Sequence, residues 1–497
     1  MILLLLPCLR SLRLGTRTPP GPAAKPLIGN LTDVPSGGHE WIGYVELGRK
    51  YASDVIYFTV LGTPLLVINS FDAARELLER KGALYSDRPR LVMIKELMDW
   101  DWNLILMSYG KLFSAYRRIV QQEFQPGVVT RLHHSVMARE VVALLERLLT
   151  TPDDLVEHLK QMAGAIIMMV TYGHQVTSVN DQYVVIAEAV REHADARPGV
   201  ELVDVLPILK YLPAWFPGAS FQREAAIARD LSLQMRTAPF DMVKSRLAEG
   251  NAMPCMATRL LSEDIPVEGV SHEEFVKNCC GVVYSAGADT TVAALRNFTL
   301  AMILHPDAQS KAHEELDEVV GRDRLPNFED RARLPYLSSI VKESLRWKAV
   351  SPLGVPHATL DHDNYRGYHI PKGATVLANI HAMLHDESVY SDPEAFKPER
   401  FLPAADGSQG EPDPARAAFG FGRRICPGRF FAEDSLFLAI ASILHIFTIS
   451  GREDTEPTRF LESVKWSSGL VSNPSPFPFK LAPRFERAAD VVHAMQL

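Results

Sequence analysis

The hydrophobic positions of this chain repeat mostly at the three- and four-residue spacing of helices, interrupted by short stretches of β type. Residues 54–69 (DVIYFTVLGTPLLVIN) are rich in β-branched and aromatic residues around a Gly-Thr-Pro turn, and they predict a β-hairpin. Residues 71–81 have helical periodicity up to Gly82, and helical patterns then dominate to about residue 345. The pattern therefore predicts a mainly α chain with small sheets (α+β), built as one large domain.

One helix is predicted together with both of its ends. It begins after Ser271, which forms a capping-box pattern with Glu274, and it stops at His305-Pro306. About thirty residues at ~1.5 Å per residue make a helix long enough to cross a whole domain. The pattern also predicts a helix over Pro335–Trp347, two short strands within residues 365–379 joined at Pro371–Gly373, and a strongly apolar helix over Arg429–Phe447.

Composition narrows the class of protein. The 497 residues are 47% hydrophobic and 23% charged, which is typical of a globular protein and excludes extensive disorder, collagen and coiled coil. The net charge of −8 offers no general basic surface for a nucleic acid. Five cysteines are too few for a disulfide framework, so they indicate a reducing, cytosol-facing compartment.

The N-terminus is apolar over residues 1–9 and basic just after them, at Arg10, Arg13 and Arg17. This run is less than half of the ~20 residues that a spanning helix needs, and it lacks the basic start and cleavage site of a signal peptide. We interpret residues 1–18 as a shortened membrane anchor, with an ordinary tail as the open alternative. Residues 19–30 then form a Pro/Gly-rich connector, and residues 31–490 the large domain.

The most informative segment is FGFGRRICPG, a glycine-bent loop that presents one cysteine just before the apolar helix. The N–H groups at the start of that helix favour a thiolate, and an arginine two residues before the cysteine can reach a carboxylate of the same bound group. A lone cysteine is most often buried and inert. Five spaced positions within ten residues instead favour a binding role: Phe419, Gly422, Arg424, Cys426 and Gly428.

Three more motifs occur elsewhere in the chain. They are AGADTT at residues 286–291, Glu343-x-x-Arg346, and FKPERF, which contains Arg400. Together with the cysteine loop, and in this order, they resemble the cytochrome P450 haem-thiolate monooxygenases over nearly the whole chain. The resemblance implies a fold that encloses haem b, with Cys426 as the axial ligand of the iron.

The residues of these motifs have chemical reasons of their own. Asp289 and Thr290 pair an acid with an alcohol beside a glycine, where a helix can open to hold O2 and water and relay protons. The alternative is that Thr290 bonds the preceding turn and Asp289 is solvated. Glu343 and Arg346 lie three positions apart and pair locally, and with Arg400 they form a network that is structural rather than catalytic.

The positions expected near the haem match the family pattern to different degrees. Phe113 stands where the family usually has a tryptophan, so an indole N–H donor is lost, whereas Arg117 is kept as a partner for a haem carboxylate. His357 is either a second residue near the haem or a simple loop histidine. By resemblance, the walls of the substrate pocket are Ala286, Val355 and Leu470.

The resemblance implies the reaction RH + O2 + two electrons + two protons giving ROH and water. The electrons come from NADPH–cytochrome P450 reductase, docked on a basic patch of Arg416, Arg423 and Arg429. Two other classes stay open: a reductase-independent enzyme on the same fold, driven by peroxide or isomerising its substrate, and a non-catalytic haem-binding protein.

Substrate and location are also expected by resemblance. Asp87-Arg88-Pro89 and residues 210–217 (KYLPAWFP) look most like fungal members in secondary metabolism, which act on small lipophilic terpenoid, indole-type or aromatic substrates. Such members are anchored in the endoplasmic reticulum membrane with the catalytic domain facing the cytosol. Trp215 and Phe216 either touch the membrane surface or pack between helices.

Overall fold

The computed structural model describes residues 17–178, 180–195, 202–403, 407–451 and 457–496. Cys8 and most of the anchor-like segment predicted for residues 1–18 lie outside these residues. The described part is mainly helical with small sheets, which confirms the predicted fold class. Its helices are α1 (Glu40–Tyr51), α2 (Phe71–Ala74), α3 (Gly82–Tyr85), α4 (Lys111–Glu123), α5 (Pro126–Val128), α6 (His134–Thr150), α7 (Leu155–Tyr172), α8 (Gln182–Asp195), α9 (Leu202–Val205), α10 (Ser220–Ala248), α11 (Met256–Ser262), α12 (His272–Leu304), α13 (Pro306–Val319), α14 (Pro335–Trp347), α15 (Ile380–Leu384), α16 (Ala415–Ala418), α17 (Arg429–Ile446), α18 (Pro457–Ser463) and α19 (Ala488–His493).

Short π and 3-10 turns connect or extend these helices. The π turns cover Arg75–Arg80, Val92–Leu97 and Val129–His133, and the 3-10 turns cover Pro152–Asp154, Pro207–Tyr211, Phe328–Arg333, Pro398–Phe401, Gly422–Arg424 and Ala494–Gln496. The strands are β1 (Val55–Val60), β2 (Thr63–Ile68), β3 (His357–Ala358), β4 (Asp363–Tyr365), β5 (Tyr368–Ile370), β6 (Thr375–Ala378), β7 (Phe447–Ser450) and β8 (Lys480–Pro483).

The strands form one four-stranded sheet, in the order β1-β2-β6-β3, and two two-stranded sheets. The predicted hairpin is confirmed, with β1 and β2 antiparallel and Val55 opposite Ile68. The two strands predicted within residues 365–379 also form, but they belong to different sheets. β5 pairs with β4, whereas β6 crosses over to lie parallel to β2, so chain segments about 300 residues apart build the main sheet.

Helix α12 runs through the main hydrophobic core, packed against α7, α14 and α17. Its predicted start is confirmed, because the Ser271 hydroxyl accepts the N–H of Glu274 at 3.3 Å. Only half of the capping box forms, since the Glu274 carboxylate binds Arg236 at 2.8 Å and Lys277 at 2.6 Å instead of turning back. The predicted bounds of α14 are confirmed, and those of α17 are confirmed to within one residue.

The opening predicted in α12 beside Gly287 is wrong, because the helix is continuous from His272 to Leu304. A side chain at Gly287 would place its Cβ 2.6 Å from Cδ1 of Ile167 on α7. The glycine therefore permits close packing of two core helices rather than a break in one of them. In the part of the chain that the structure describes, no helix is both long and apolar enough to cross a bilayer.

Candidate active site

The cysteine loop is held by backbone hydrogen bonds just before α17. The N–H of Cys426 donates to the carbonyl of Phe419 at 2.8 Å, which closes the loop on itself. Gly422 has a positive φ of 54°, and a Cβ there would lie 2.2 Å from the backbone oxygen of Leu78. Only glycine fits this position, so the loop can press against the turn that follows α2.

Three groups that favour a negative sulfur surround Cys426. Burial raises the pKa of its thiol, and the amide of Gly428 opposes this by donating to the sulfur, together with the guanidinium groups of Arg117 and Arg429. The Gly428 amide acts in the direction predicted for the helix start, although desolvation outweighs the local donors in the free thiol. A coordinated metal ion reverses that balance, because a ligating thiol is deprotonated outright.

Helix α12 borders open space at its midpoint. The helix is mostly buried from Phe275 to Tyr284 and again from Thr291 to Met302, yet residues 285–289 are half-buried and Thr290 is exposed. Exposed surface in the middle of a core helix marks a recess inside the protein. Helix α17, which follows the cysteine loop, packs on this same helix.

The two predicted catalytic residues point to different sides of α12. The hydroxyl of Thr290 donates to the carbonyl of Ala286 at 3.1 Å, which is the bond to the preceding turn that the alternative interpretation expected. Asp289 is paired rather than merely solvated, because its carboxylate lies 3.8 Å from Nε of Arg191 on α8. Neighbouring helix positions differ by about 100° in direction, so the carboxylate and the hydroxyl are separated.

The predicted Glu343 network forms. Arg346 donates from Nε and Nη2 to the two oxygens of Glu343, at 2.7 and 2.9 Å, and Arg400 donates from Nε at 3.2 Å. The side chains of Glu343 and Arg346 are completely buried, and that of Arg400 is 2% exposed. Both arginines also bind backbone carbonyls of residues 391–395, so the network fastens α14 to the segment that precedes the cysteine loop.

Arg424 binds backbone rather than a side-chain carboxylate. Its guanidinium donates to the carbonyls of Ser86 (2.8 Å), Leu104 (3.1 Å) and Met107 (2.6 Å). The same group lies 3.7 Å from the ring centre of Phe113, the residue that replaces the expected tryptophan. Arg424 therefore draws residues 86–107 onto the cysteine loop and stacks on the aromatic wall.

Two further titratable residues, Arg117 and His357, lie in the same region. Arg117 is half-buried, and burial lowers its pKa while nearby Cys426 raises it. His357 is a buried residue of β3 whose Nδ1 contacts the carbonyl of Tyr85 at 2.8 Å, and burial lowers its pKa to about 3, with the charge of Arg88 acting in the same direction. Sequence reasoning missed Arg88 as a site residue. The sequence signal that could have indicated Arg88 was the Asp-Arg-Pro segment at residues 87–89.

The remaining predictions concern the pocket residues Val355 and Leu470 and the basic patch. The carbonyl of Val355 accepts a hydrogen bond from Arg88 at 2.9 Å. The side chain of Leu470 is 50% exposed, and its carbonyl accepts the hydroxyl of Ser351 at 2.7 Å. Of the predicted basic patch, Arg423 is exposed, whereas Arg416 and Arg429 are half-buried and stack on the rings of Phe71 and Phe430.

The donor set fits an iron porphyrin better than a bare metal ion. Among the described residues, no three His, Cys, Asp or Glu side chains come together as a metal site. A single cysteine with donors around its sulfur suits an iron whose other ligands come from a macrocycle. Arg88, Arg117 and Arg424 form no ion pair within the described residues, and the carboxylates of a porphyrin are the anions that they lack.

Taken together, the single cysteine donor, the guanidinium groups near it and the open helix midpoint fit a haem-thiolate site. The family model described as cytochrome P450 matches residues 19–481, so the chain belongs to the cytochrome P450 family. Members of this family are monooxygenases that use haem, O2 and electrons supplied by a redox partner, which confirms the predicted class of enzyme.

Relatives of similar length come from fungi. A cytochrome P450 monooxygenase of Armillaria gallica is 39% identical, over 95% of this chain and 93% of the relative. The monooxygenases claR of Ampulloclitocybe clavipes and ple1 of Rhodocybe pseudopiperita are each 38% identical, over 95% and 96% of this chain and 88% and 92% of the relatives. The similarity therefore extends over nearly the whole of each protein.

Proposed function

We propose that this protein is a haem b monooxygenase that hydroxylates a small lipophilic substrate, with electrons from NADPH–cytochrome P450 reductase. The observation that carries the proposal is Cys426, set among the Gly428 amide and two guanidinium groups in a loop before α17, which packs on the half-open helix α12. When bound, the haem supplies the binding and activation of O2. Residues of this chain hold the haem, supply protons and line the substrate pocket.

Three kinds of residue are proposed to hold the haem. Cys426 is the proposed axial ligand, and the Gly428 N–H tempers its electron donation. Arg117 and Arg424 are the proposed partners of the haem carboxylates. Phe419 and Gly422 shape the loop. The carbonyl of Phe419 accepts a hydrogen bond from the Cys426 N–H, and Gly422 allows the loop to approach Leu78 closely. Residues 31–490 are the proposed haem domain.

Proton supply is the proposed role of Asp289 and Thr290. Thr290 is the exposed residue at the recess, so its Oγ1 can hold a proton or a water there. Asp289 lies on the side of α12 that faces α8, where its carboxylate is 3.8 Å from Nε of Arg191 and remains partly exposed to solvent. The Asp289 carboxylate would take up a proton from solvent, rotate away from Arg191 and pass that proton toward the recess.

The membrane surface is the proposed location of the protein, on the cytosolic side of the endoplasmic reticulum. Large apolar side chains of residues 202–216 are strongly exposed, including Trp215 at 79% and Tyr211 at 73%. This exposure favours contact with lipid over packing between helices. Trp215 and its neighbour Phe216 would enter the headgroup region, where tryptophan is preferred.

The substrate class is proposed from the fungal relatives and from the apolar residues predicted to line the pocket. A terpenoid, indole-type or aromatic compound of secondary metabolism fits an apolar wall that includes Ala286 and Val355. Leu470 completes the proposed wall from a third segment. For the reductase, Arg423 is the proposed contact, since it is the exposed member of the predicted basic patch.

The test is turnover by the purified enzyme with the reductase, NADPH and isotopically labelled O2. We expect one labelled oxygen atom in the product, and a rate about a hundredfold lower for Asp289→Asn. Thr290→Ala should consume NADPH with little product. Thr291 is the matched control, because its hydroxyl makes the same kind of bond, to Gly287 at 3.2 Å, but is buried.

Two results would overturn the proposal. Product formation from peroxide alone, indifferent to the reductase and to Asp289→Asn, would favour a reductase-independent enzyme. Haem binding without turnover over a broad panel of lipophilic compounds would favour a binding protein.

A further inference from the structure

A polar pair lies where the turn at residues 101–106 crosses helix α12. Nδ2 of Asn103 donates to Oγ of Ser285 at 3.2 Å. Asn103 is only 1% exposed, whereas Ser285 is the first of the half-buried residues at the open midpoint of α12. One helical turn earlier, a Cβ at Gly281 would lie 2.9 Å from Cζ3 of Trp102. The turn is therefore pressed onto α12 at the edge of the recess.

The backbone of this turn is held without help from the Asn103 side chain. The carbonyl of Asn103 accepts two backbone N–H groups further along the turn, both at 2.9 Å. Arg88 donates to the carbonyl of Ile105 at 2.8 Å and to that of Val355 at 2.9 Å. These bonds place the turn beside Val355, a residue of the proposed pocket wall.

The side chain of Asn103 has a hydrogen-bond donor to spare. An asparagine amide carries two N–H groups and an oxygen that accepts. One N–H binds Ser285, and Oδ1 accepts the N–H of Ile105 at 2.9 Å. The second N–H makes no hydrogen bond within the described residues, and the Ser285 hydroxyl is already committed to the carbonyl of Val282 at 3.0 Å.

The surroundings of this donor are apolar. The nearby side chains of the same segment are large and buried: Trp102, Leu104, Leu106 and Met107. A polar group costs free energy in such a place unless its hydrogen bonds are made. Ligand pockets characteristically combine apolar walls with a few polar groups that fix the orientation of the ligand.

We propose that the spare N–H of Asn103, set in place by Ser285, donates to an oxygen atom of the substrate. The substrate class then narrows to lipophilic compounds that already carry a hydroxyl or carbonyl group when they reach this enzyme. The reaction that supplies the substrate must have introduced that oxygen, as a hydration or an earlier hydroxylation does. The inference rests on the proposed function, since it requires a substrate bound in the recess.

The test must separate this role from a merely structural one, because the same side chain also joins the turn to α12. The probes are N-alkylimidazoles of graded chain length, whose imidazole nitrogen binds the haem iron of the purified holoenzyme. Each chain ends in a methyl group, a methyl ketone or a hydroxyl group. Spectral titration gives the Kd of each probe, and the ratio of Kd values within one variant cancels any general change in the turn or the haem.

The variants are Asn103→Leu, which removes the amide at similar volume, and Ser285→Ala, which removes its partner. Ser108→Ala is the matched control, because Ser108 follows the same turn but is exposed. At the chain length that reaches Asn103, we expect the ketone and the hydroxyl to bind more tightly relative to the methyl probe in wild type. Asn103→Leu should reduce that preference about fivefold, as expected for one lost hydrogen bond between neutral groups.

Ser285→Ala should reduce the preference less, and Ser108→Ala should match wild type. A ratio of ketone to methyl Kd that Asn103→Leu leaves unchanged at every chain length would overturn the inference, because a ketone can only accept. A wild-type protein without a haem-thiolate spectrum would overturn the proposed function instead.

Discussion

Replacement of Glu343 by alanine isolates the contribution of the buried charge network. The carboxylate accepts hydrogen bonds from Arg346, Arg400 and the N–H of Lys397, the last at 2.7 Å. Arg400 keeps a second carboxylate, Glu411 at 2.6 Å, but Arg346 is left with backbone carbonyls alone. Removing one partner of a buried ion pair costs about 3–5 kcal/mol. A whole protein is stable by only about 5–15 kcal/mol, so this one change removes a large share.

The assay is the thermal unfolding midpoint together with the haem content of the purified protein. We expect Glu343→Ala to melt well below wild type and to lose nearly all haem, with Glu343→Gln in between because it keeps acceptors for the arginines. Asp392→Asn is the matched control, since this carboxylate pairs with Lys397 at 2.8 Å but is 59% exposed, and it should change nothing measurable. Full haem content with selectively lost turnover would show that Glu343 acts in catalysis and would refute the structural role.

Two further predictions concern pH and the cysteine loop. Burial lowers the pKa of His445 to about 4 and that of His381 to about 3, so between these values and the ordinary ~6.5 the unfolded chain binds more protons. Stability should therefore fall as pH drops below about 6.5, and a thermal midpoint equal at about pH 7.5 and pH 5 would contradict this. Gly422→Ala should lower the midpoint and the haem content, because it combines the ~1–2 kcal/mol of a left-handed residue with a contact 2.2 Å from Leu78. Gly420→Ala, with a φ of 76° and no atom within 4 Å, should show only the conformational cost, and equal effects of the two changes would argue against the close contact.

Local sequence patterns predicted the parts of the molecule that depend on local geometry. The bounds of α14, the capping of α12 by Ser271 and the β1–β2 hairpin each follow from periodicity or turn chemistry within a few residues. The cysteine loop is similar, since its glycines and cysteine are spaced within ten positions. Pairs three residues apart, such as Glu343 and Arg346, are also local, so their contact could be predicted.

Contacts between distant segments could not be predicted in this way. Gly287 was expected to open a helix, but its role depends on Ile167 of another helix. Asp289 was expected to act beside Thr290, and nothing within α12 signals that Arg191 of α8 holds it. The hydrogen bonds from Arg88 to Val355 and Pro356 join positions more than 260 residues apart. No repeating pattern along the sequence could have indicated them.

Cys426 is the proposed thiolate ligand of a haem iron. The most direct test of this role is the difference spectrum of the reduced protein with and without carbon monoxide, for wild type, Cys426→Ser and Cys280→Ser. Cys280 is the matched control, since it is a free thiol fully buried in α12. We expect the red-shifted thiolate band in wild type and Cys280→Ser, and its loss in Cys426→Ser. A wild-type spectrum without that band, or a Cys426→Ser spectrum that retains it, would show that Cys426 is not the ligand.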